Sequence, residues 1–284
     1  MAKIAVITDT DSSIPEALAG KYDIHQAPIT IHFGDETYSS GVNIDDKFLF
    51  DRIDQTGKLP TTSAPAPGAF TQAYRAAFEA GADSIVCICV SSKVSATYTS
   101  ALTAVEQFPG RKITVIDSLS LSMGQGFMVL AAAEAAASGA IHEEVVNHAR
   151  SLTGRMHLFA TLTTLKYLAM SGRVGKVAAG MATVLNIRPI LTIRDGQLVM
   201  LERVRTKKAA MQRLVDLLQS SVSGKTIERA AIIHVNNIAD GAELEAQLRA
   251  CLSLPEKVIT TAVSPGLSVH SGSGMVGAVL VAGK

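Results

Sequence analysis

The residues of this sequence best suited to chemistry are a pair of acids, two hydroxyl clusters, a histidine among glycines and a basic run. Asp9-Thr10-Asp11 follows directly on the apolar run Lys3–Thr8. Two carboxylates spaced by two can share Mg²⁺ and supply an aspartyl nucleophile, which is phosphatase chemistry. The chain then continues Ser12-Ser13, and no later acidic pair completes a metal site, since Asp45-Asp46 opens a helix. A polar strand end followed by a helix cap is the plainer reading. The hydroxyls fall in two sets, Thr61, Thr62, Ser63 and Ser91, Ser92, Ser95, each expected just before a helix. Free N–H groups and the partial positive charge of a helix start favour an anion there. His270 lies in a stretch rich in Gly and Ser and adds a donor or acceptor to the same account. Arg173, Arg203, Arg205, Lys207 and Lys208 read either as solvated surface or as a dock for a phosphate or an acidic partner. Cys87 and Cys89 alternate on an apolar strand and read as buried thiols.

The elements that position these residues alternate between strand and helix. Lys3–Thr8, Asp83–Val90 and Lys112–Asp117 are continuous apolar runs, each with a polar end and then a helical pattern. That order predicts a parallel α/β layer, whose ligands sit at the carboxyl ends of the strands. His25–Phe33 reads as one strand, 58–68 as a loop, and Pro265–Gly274 as a loop around His270. Pro15 is expected to open a helix capped by Ser12 or Ser13. After about residue 152 the character changes to α+β with antiparallel pairs, and Asp195-Gly196 is the strongest hairpin signal. The expected division is 1–155, a mainly parallel α/β domain, and 156–284, an α+β domain.

Composition narrows the classes. Lys plus Arg number 26 and Asp plus Glu 25, so the net charge of +1 offers nucleic acid no basic surplus. Apolar residues make up 48% and charged residues 18%, which predicts a packed core. Aromatics are only 5% and Trp is absent, so that core must be aliphatic. Three cysteines give no disulfide framework and fit a reducing compartment. The beginning of the sequence does not read as a signal peptide. The longest apolar stretch, 124–140, carries Glu134 and is too short to span a membrane. The expectation is a cytoplasmic globule.

The chain resembles the DegV family of bacterial lipid-binding proteins, which includes the FakB subunits of fatty acid kinase. The resemblance runs along essentially the whole chain: KIAVITDTDSSIP at the start, LPTTSAPAPGAF at 59–70, SSKVSATYTSA at 91–101 and DSLSLSMGQGF at 117–127. It continues with LKYLAMSGRVGKV at 165–177, RPILTIRDGQL at 188–198, VRTKKAA at 204–210 and HSGSGMVG at 270–277. It implies a two-domain α/β fold with a long-chain fatty acid, such as palmitate or oleate, buried between the domains. It further implies that Thr62, Ser63, Ser95 and His270 hold the carboxylate, and that Arg173 and Arg205 serve the head group or the partner. That partner would be a separate ATP-dependent kinase catalytic subunit making acyl-phosphate for phospholipid synthesis. No cofactor beyond the bound acid is implied, and the chain has no Walker loop of its own. Ala66, Ala96 and Ser171 depart from the family pattern. Burying the roughly 14 methylenes of a palmitoyl chain at ~0.8 kcal/mol each offers on the order of 11 kcal/mol before ordering costs. A carrier needs only that and partners for the carboxylate, whereas an enzyme needs an activated nucleophile or a metal.

Overall fold

The computed structural model describes residues 2–173 and 187–284. The end of the 165–177 motif, residues 174–177, lies outside them. The chain begins with β1 (Ile4–Asp9), a 3-10 turn (Thr10–Ser12), α1 (Glu16–Lys21), β2 (His25–Ala27), β3 (Thr30–Phe33) and β4 (Glu36–Ser39). There follow α2 (Asp46–Thr56), β5 (Thr61–Ser63), α3 (Pro67–Glu79), β6 (Ser84–Cys89), α4 (Thr97–Val105) and β7 (Lys112–Asp117). Then come α5 (Met123–Ala137), α6 (His142–Arg150), β8 (Met156–Thr161), α7 (Lys166–Ser171), β9 (Arg188–Arg194) and β10 (Gln197–Val204). The chain closes with α8 (Lys207–Ser221), β11 (Ile227–His234), α9 (Ile238–Cys251), β12 (Val258–Ala262), α10 (Pro265–Ser271) and β13 (Val276–Ala282).

The apolar runs pair as their burial demands. β1, β2, β6 and β7 form a parallel sheet in the order β2-β1-β6-β7. β6 is buried at every residue, because α3 and α4 cover one face and α5 the other. A second sheet runs β10-β9-β8-β13-β11-β12, antiparallel except for the last pair. Its outer face packs on α8 and α9. Its inner face joins α5 and the parallel sheet in one aliphatic core, with Val86, Ile88, Leu130, Ile233 and Val279 in a single cluster. Twelve of the fifteen residues of α5 are buried, which is why that segment is apolar all round. The expected break at 155/156 falls between α6 and β8.

Three local expectations are corrected. His25–Phe33 is two strands in different sheets, because Pro28 interrupts it and the Ile29 N–H donates to Thr10 Oγ1 at 3.1 Å. Neither Ser12 nor Ser13 caps α1. Ser12 lies in the 3-10 turn, and Ser13 takes a left-handed conformation with φ 52°. Pro265–Ser271 is a short helix rather than a loop, with proline in its first turn and Gly272 ending it. The hairpin at Asp195-Gly196 forms as expected, with both residues at positive φ. Ser91 Oγ donates to Gly196 O at 2.7 Å and pins that hairpin tip to the loop after β6.

Candidate functional site

A cavity of about 660 Å³ lies where the carboxyl ends of the parallel strands meet the inner face of the six-stranded sheet. Its lining includes Asp11 after β1, residues 92–96 after β6, and Leu121 and Ser122 after β7. This is the edge at which an α/β sheet offers ligands its loops. The opposite wall is aliphatic: Leu158 and Ala160 of β8, Leu191 of β9, Leu198 of β10, Ile233 of β11 and Met275. Its size falls within the range of small-molecule sites, ~300–1,000 Å³.

Thr62, Ser63, Ser95, His270 and Arg173 all line this cavity, and Arg205 does not. β5 pairs with β3, setting Thr62 opposite Ile31, so alternation turns Thr62 to one face and Thr61 and Ser63 to the other. Thr62 Oγ1 lies 3.1 Å from His270 Nε2, joining β5 to α10 across 208 residues. Ser63 Oγ instead lies 3.1 Å from His32 Nε2, so its hydroxyl is already engaged. The expectation that Thr61–Ser63 sits at a helix start is corrected: these residues form a strand, and α3 begins at Pro67. Ser95 precedes α4, accepts the Thr97 N–H at 3.3 Å, and its Oγ lies 2.8 Å from Thr97 Oγ1. Ala96 has φ −80°, ordinary for an L-residue, so nothing at that position requires glycine.

Burial pushes the His270 imidazole down to about 4, and the neighbouring Arg173 charge adds to the effect. The ring is therefore neutral at pH 7. Its Nδ1 is buried and has no hydrogen-bond partner among the described residues. Arg173 is exposed at the end of α7 and donates to Ser171 O at 2.6 Å. Arg205 is exposed between β10 and α8. Lys207 pairs with Asp240. Lys93 also lines the cavity. Sequence reasoning passed over it, although its place in the 91–96 loop was the available signal.

The position of His270 is set by α10, which side chains of the first 62 residues hold at five points. Ser264 N–H donates to Ser13 Oγ at 3.1 Å, and Ser264 Oγ donates to Asp11 Oδ1 at 3.0 Å. Gly266 N–H donates to Ser40 Oγ at 3.0 Å, Ser268 Oγ donates to Asp46 Oδ1, and Thr62 meets His270. Of the hydroxyls near the strand ends, Ser13 and Ser40 thus serve this attachment, while Thr10 accepts from Ile29 and Ser91 holds Gly196.

The Asp9–Asp11 pair is not arranged as a phosphatase centre. Asp9 is fully buried, and its two oxygens accept N–H groups of Asp11 at 3.0 Å, Val90 at 2.8 Å and Gln125 at 3.0 Å. A carboxylate so occupied braces the loops after β1 and β6 and is not a free nucleophile. Among the described residues, no group of three or more His, Cys, Asp or Glu is placed to hold a metal. Cys87 and Cys89 are fully buried against the α3–α4 side, their Sγ atoms 3.8 Å apart.

Fold and cavity together define a mixed α/β protein whose parallel and mixed sheets enclose one amphipathic chamber. The chain belongs to the DegV family: the family model described as "Uncharacterised protein, DegV family" matches residues 3–283. A DegV domain-containing protein of Caldanaerobacter subterraneus is 32% identical over 98% of both chains. One from Clostridium perfringens is 33% identical over 96% of this chain and 97% of its own. The solved structure of a fatty-acid-binding DegV family protein from Thermus thermophilus superposes with TM-score 0.92 at 28% identity, covering 99% of each chain. DegV of Bacillus subtilis, a fatty acid binding protein, gives TM-score 0.87 at 28% identity over the whole of both chains. Among the described residues no helix is long and apolar enough to cross a membrane.

Proposed function

We propose that this protein binds one long-chain fatty acid, such as palmitate or oleate, and presents its carboxylate to a separate ATP-dependent kinase subunit. The observation that carries this reading is the chamber itself. It sets an aliphatic sheet face opposite a polar group of Thr62, Ser95 and His270, with Arg173 and Lys93 on the same lining. An acyl chain against Leu158, Leu191 and Ile233 leaves water, while the carboxylate finds donors that offset its desolvation. The fatty acids bound by the Thermus and Bacillus relatives support the ligand class. In this reading Thr62, Ser95 and His270 hold the head group, with Ser63 at the rim through His32. Arg173 screens the carboxylate, and the exposed Arg205 meets the kinase, which supplies the ATP chemistry. The resulting acyl-phosphate would feed phospholipid synthesis. The protein itself acts as a carrier with no cofactor beyond the bound acid.

Native mass spectrometry of the purified protein, followed by lipid analysis after denaturation, tests the binding step. One fatty acid per chain is expected. A protein that stays ligand-free after incubation with palmitate and oleate overturns the reading. For the kinase step, Arg205→Glu is expected to retain bound lipid and lose acyl-phosphate formation. Loss of lipid instead would move Arg205 into the binding site.

A further inference from the structure

The described lining carries polar side chains outside the Thr62–His270–Ser95 set, and two of them, Asp11 and Ser122, are buried. Asp11, 5% exposed, lines the cavity at the end of β1 with Ile29, Leu121 and Val263 nearby on the same lining. Its Oδ1 accepts from Ser264 Oγ, and its Oδ2 receives no donor among the described residues. Beside it in the lining is Ser122, 1% exposed, whose buried hydroxyl has no partner among the described residues. The two are tied through the backbone, the Ser122 N–H donating to Asp11 O at 2.8 Å. Ser122 is held at φ 50° and ψ −144°, a conformation a non-glycine residue rarely adopts. Neither group belongs to the Thr62–His270–Ser95 set: Asp11 Oδ1 serves to hold α10, while Asp11 Oδ2 and the Ser122 hydroxyl take no part in that attachment.

A saturated chain laid against this wall leaves a carboxyl oxygen and a hydroxyl without hydrogen bonds, which is unfavourable in a closed apolar site. A hydroxyl on the ligand removes that deficit, since it is both donor and acceptor and can pair with Asp11 Oδ2 in either protonation state and with Ser122 Oγ. We propose that Asp11 and Ser122 form a second polar subsite that takes a hydroxyl carried on the acyl chain, so that monohydroxylated long-chain acids are preferred ligands. The inference rests on the fatty-acid reading and deepens it. Burial, helped by the charge of Asp9, pushes the Asp11 carboxyl above the ordinary range. A group with suppressed charge suits such a subsite, because a neutral ligand hydroxyl satisfies it without a counter-ion. Sites built to hydrogen-bond a ligand hydroxyl reject the analogue that lacks it far more strongly than apolar sites sort by size.

The test is calorimetric titration of the lipid-stripped full chain with stearate and with monohydroxystearates that move the hydroxyl along the chain. At least one positional isomer is expected to bind roughly tenfold or more tightly than stearate, one hydrogen-bonded pair's worth. In Asp11→Leu and in Ser122→Ala that ratio is expected to fall toward one. Ser122→Ala removes only an unpartnered oxygen, so it keeps the test open if Asp11→Leu fails to fold. If stearate binds and no isomer exceeds it, the subsite is wrong and the carrier reading stands. A preference unchanged in both variants likewise overturns the assignment to these residues. If no acid binds at all, the carrier reading fails and this inference with it.

Discussion

His270 carries the sharpest residue-scale consequence. Its ring is neutral at pH 7 because burial, then Arg173, hold it down to about 4. A carboxylate brought against it reverses the balance, since an adjacent negative charge favours imidazolium. The His270 ring signals in an NMR titration are expected to show a midpoint near 4 in the lipid-free protein and a higher one with fatty acid bound. An unchanged midpoint would place the head group elsewhere. A lowered base also has a stability consequence: its contribution is present above the unfolded value and is lost as pH falls toward about 4. Thr62→Val removes the partner of Nε2 and is expected to weaken binding by about fivefold to tenfold, roughly 1 kcal/mol, in the same titration. Residue types made the two hydroxyl clusters and His270 stand out in the sequence, the family resemblance singled out Thr62, Ser95 and His270, and the structure brings these three to one cavity lining. The engagement of Ser63 by His32 was not legible in the sequence, because it depends on which face of a three-residue strand each side chain takes. Nor was the role of Asp9 as a brace, since its donors come from residues 11, 90 and 125.

At the scale of elements, the pattern that repeated was the pattern that could be read. The apolar runs of β1, β6 and β7 and the Asp195-Gly196 hairpin are set by local rules of burial and turn geometry. α10 reads as a loop in the sequence because its glycine and serines have low helix propensity. It exists because distant side chains hold it, and Asp46 is the one with an acid–base consequence. Burial, opposed by the Ser268 hydroxyl, pushes the Asp46 carboxyl up to about 6, and its buried Oδ2 has no partner among the described residues. For a raised acid the stabilising contribution is complete below the unfolded value of about 4 and is lost as pH rises through about 6. Denaturant melts across that window are expected to show wild type losing more stability with rising pH than Asp46→Asn does, by on the order of 3 kcal/mol at most. An equal slope in the variant would show that Asp46 is not the titrating group. The glycine at 277 makes a separate steric point. It sits opposite Ala160 in the β8–β13 pair, where an added Cβ would meet Phe159 O at 2.5 Å. Gly277→Val is therefore expected to spread these strands and cost about 2 kcal/mol or more in the same melts.

For the molecule as a whole, the β2-β1-β6-β7 and β4-β3-β5 sheets lie before residue 155 in the chain and the six-stranded sheet after it. The pattern could not reveal that α5, encoded in the first half, is buried against both sheets. A helix apolar all round has no face that names its neighbours. The chamber shares this construction. Its aliphatic wall comes from β8, β9, β10 and β11, while its polar lining comes from β5, the loops after β1, β6 and β7, and α10. A ligand that fills it touches both sheets at once and adds to the contacts that α5 and the α10 attachment already make. Ligand that binds only the folded chain stabilises it by about 2.7 kcal/mol at a free concentration of one hundred times Kd. For a chain of this size that corresponds to roughly 5–10 °C in Tm. Calorimetry of lipid-stripped and reloaded protein is expected to show one transition that moves upward as a unit. Two transitions, with only one shifted by the acid, would show that the sheets unfold independently and that the ligand binds within one of them. Because the core is continuous through α5, the single transition is the outcome its packing requires.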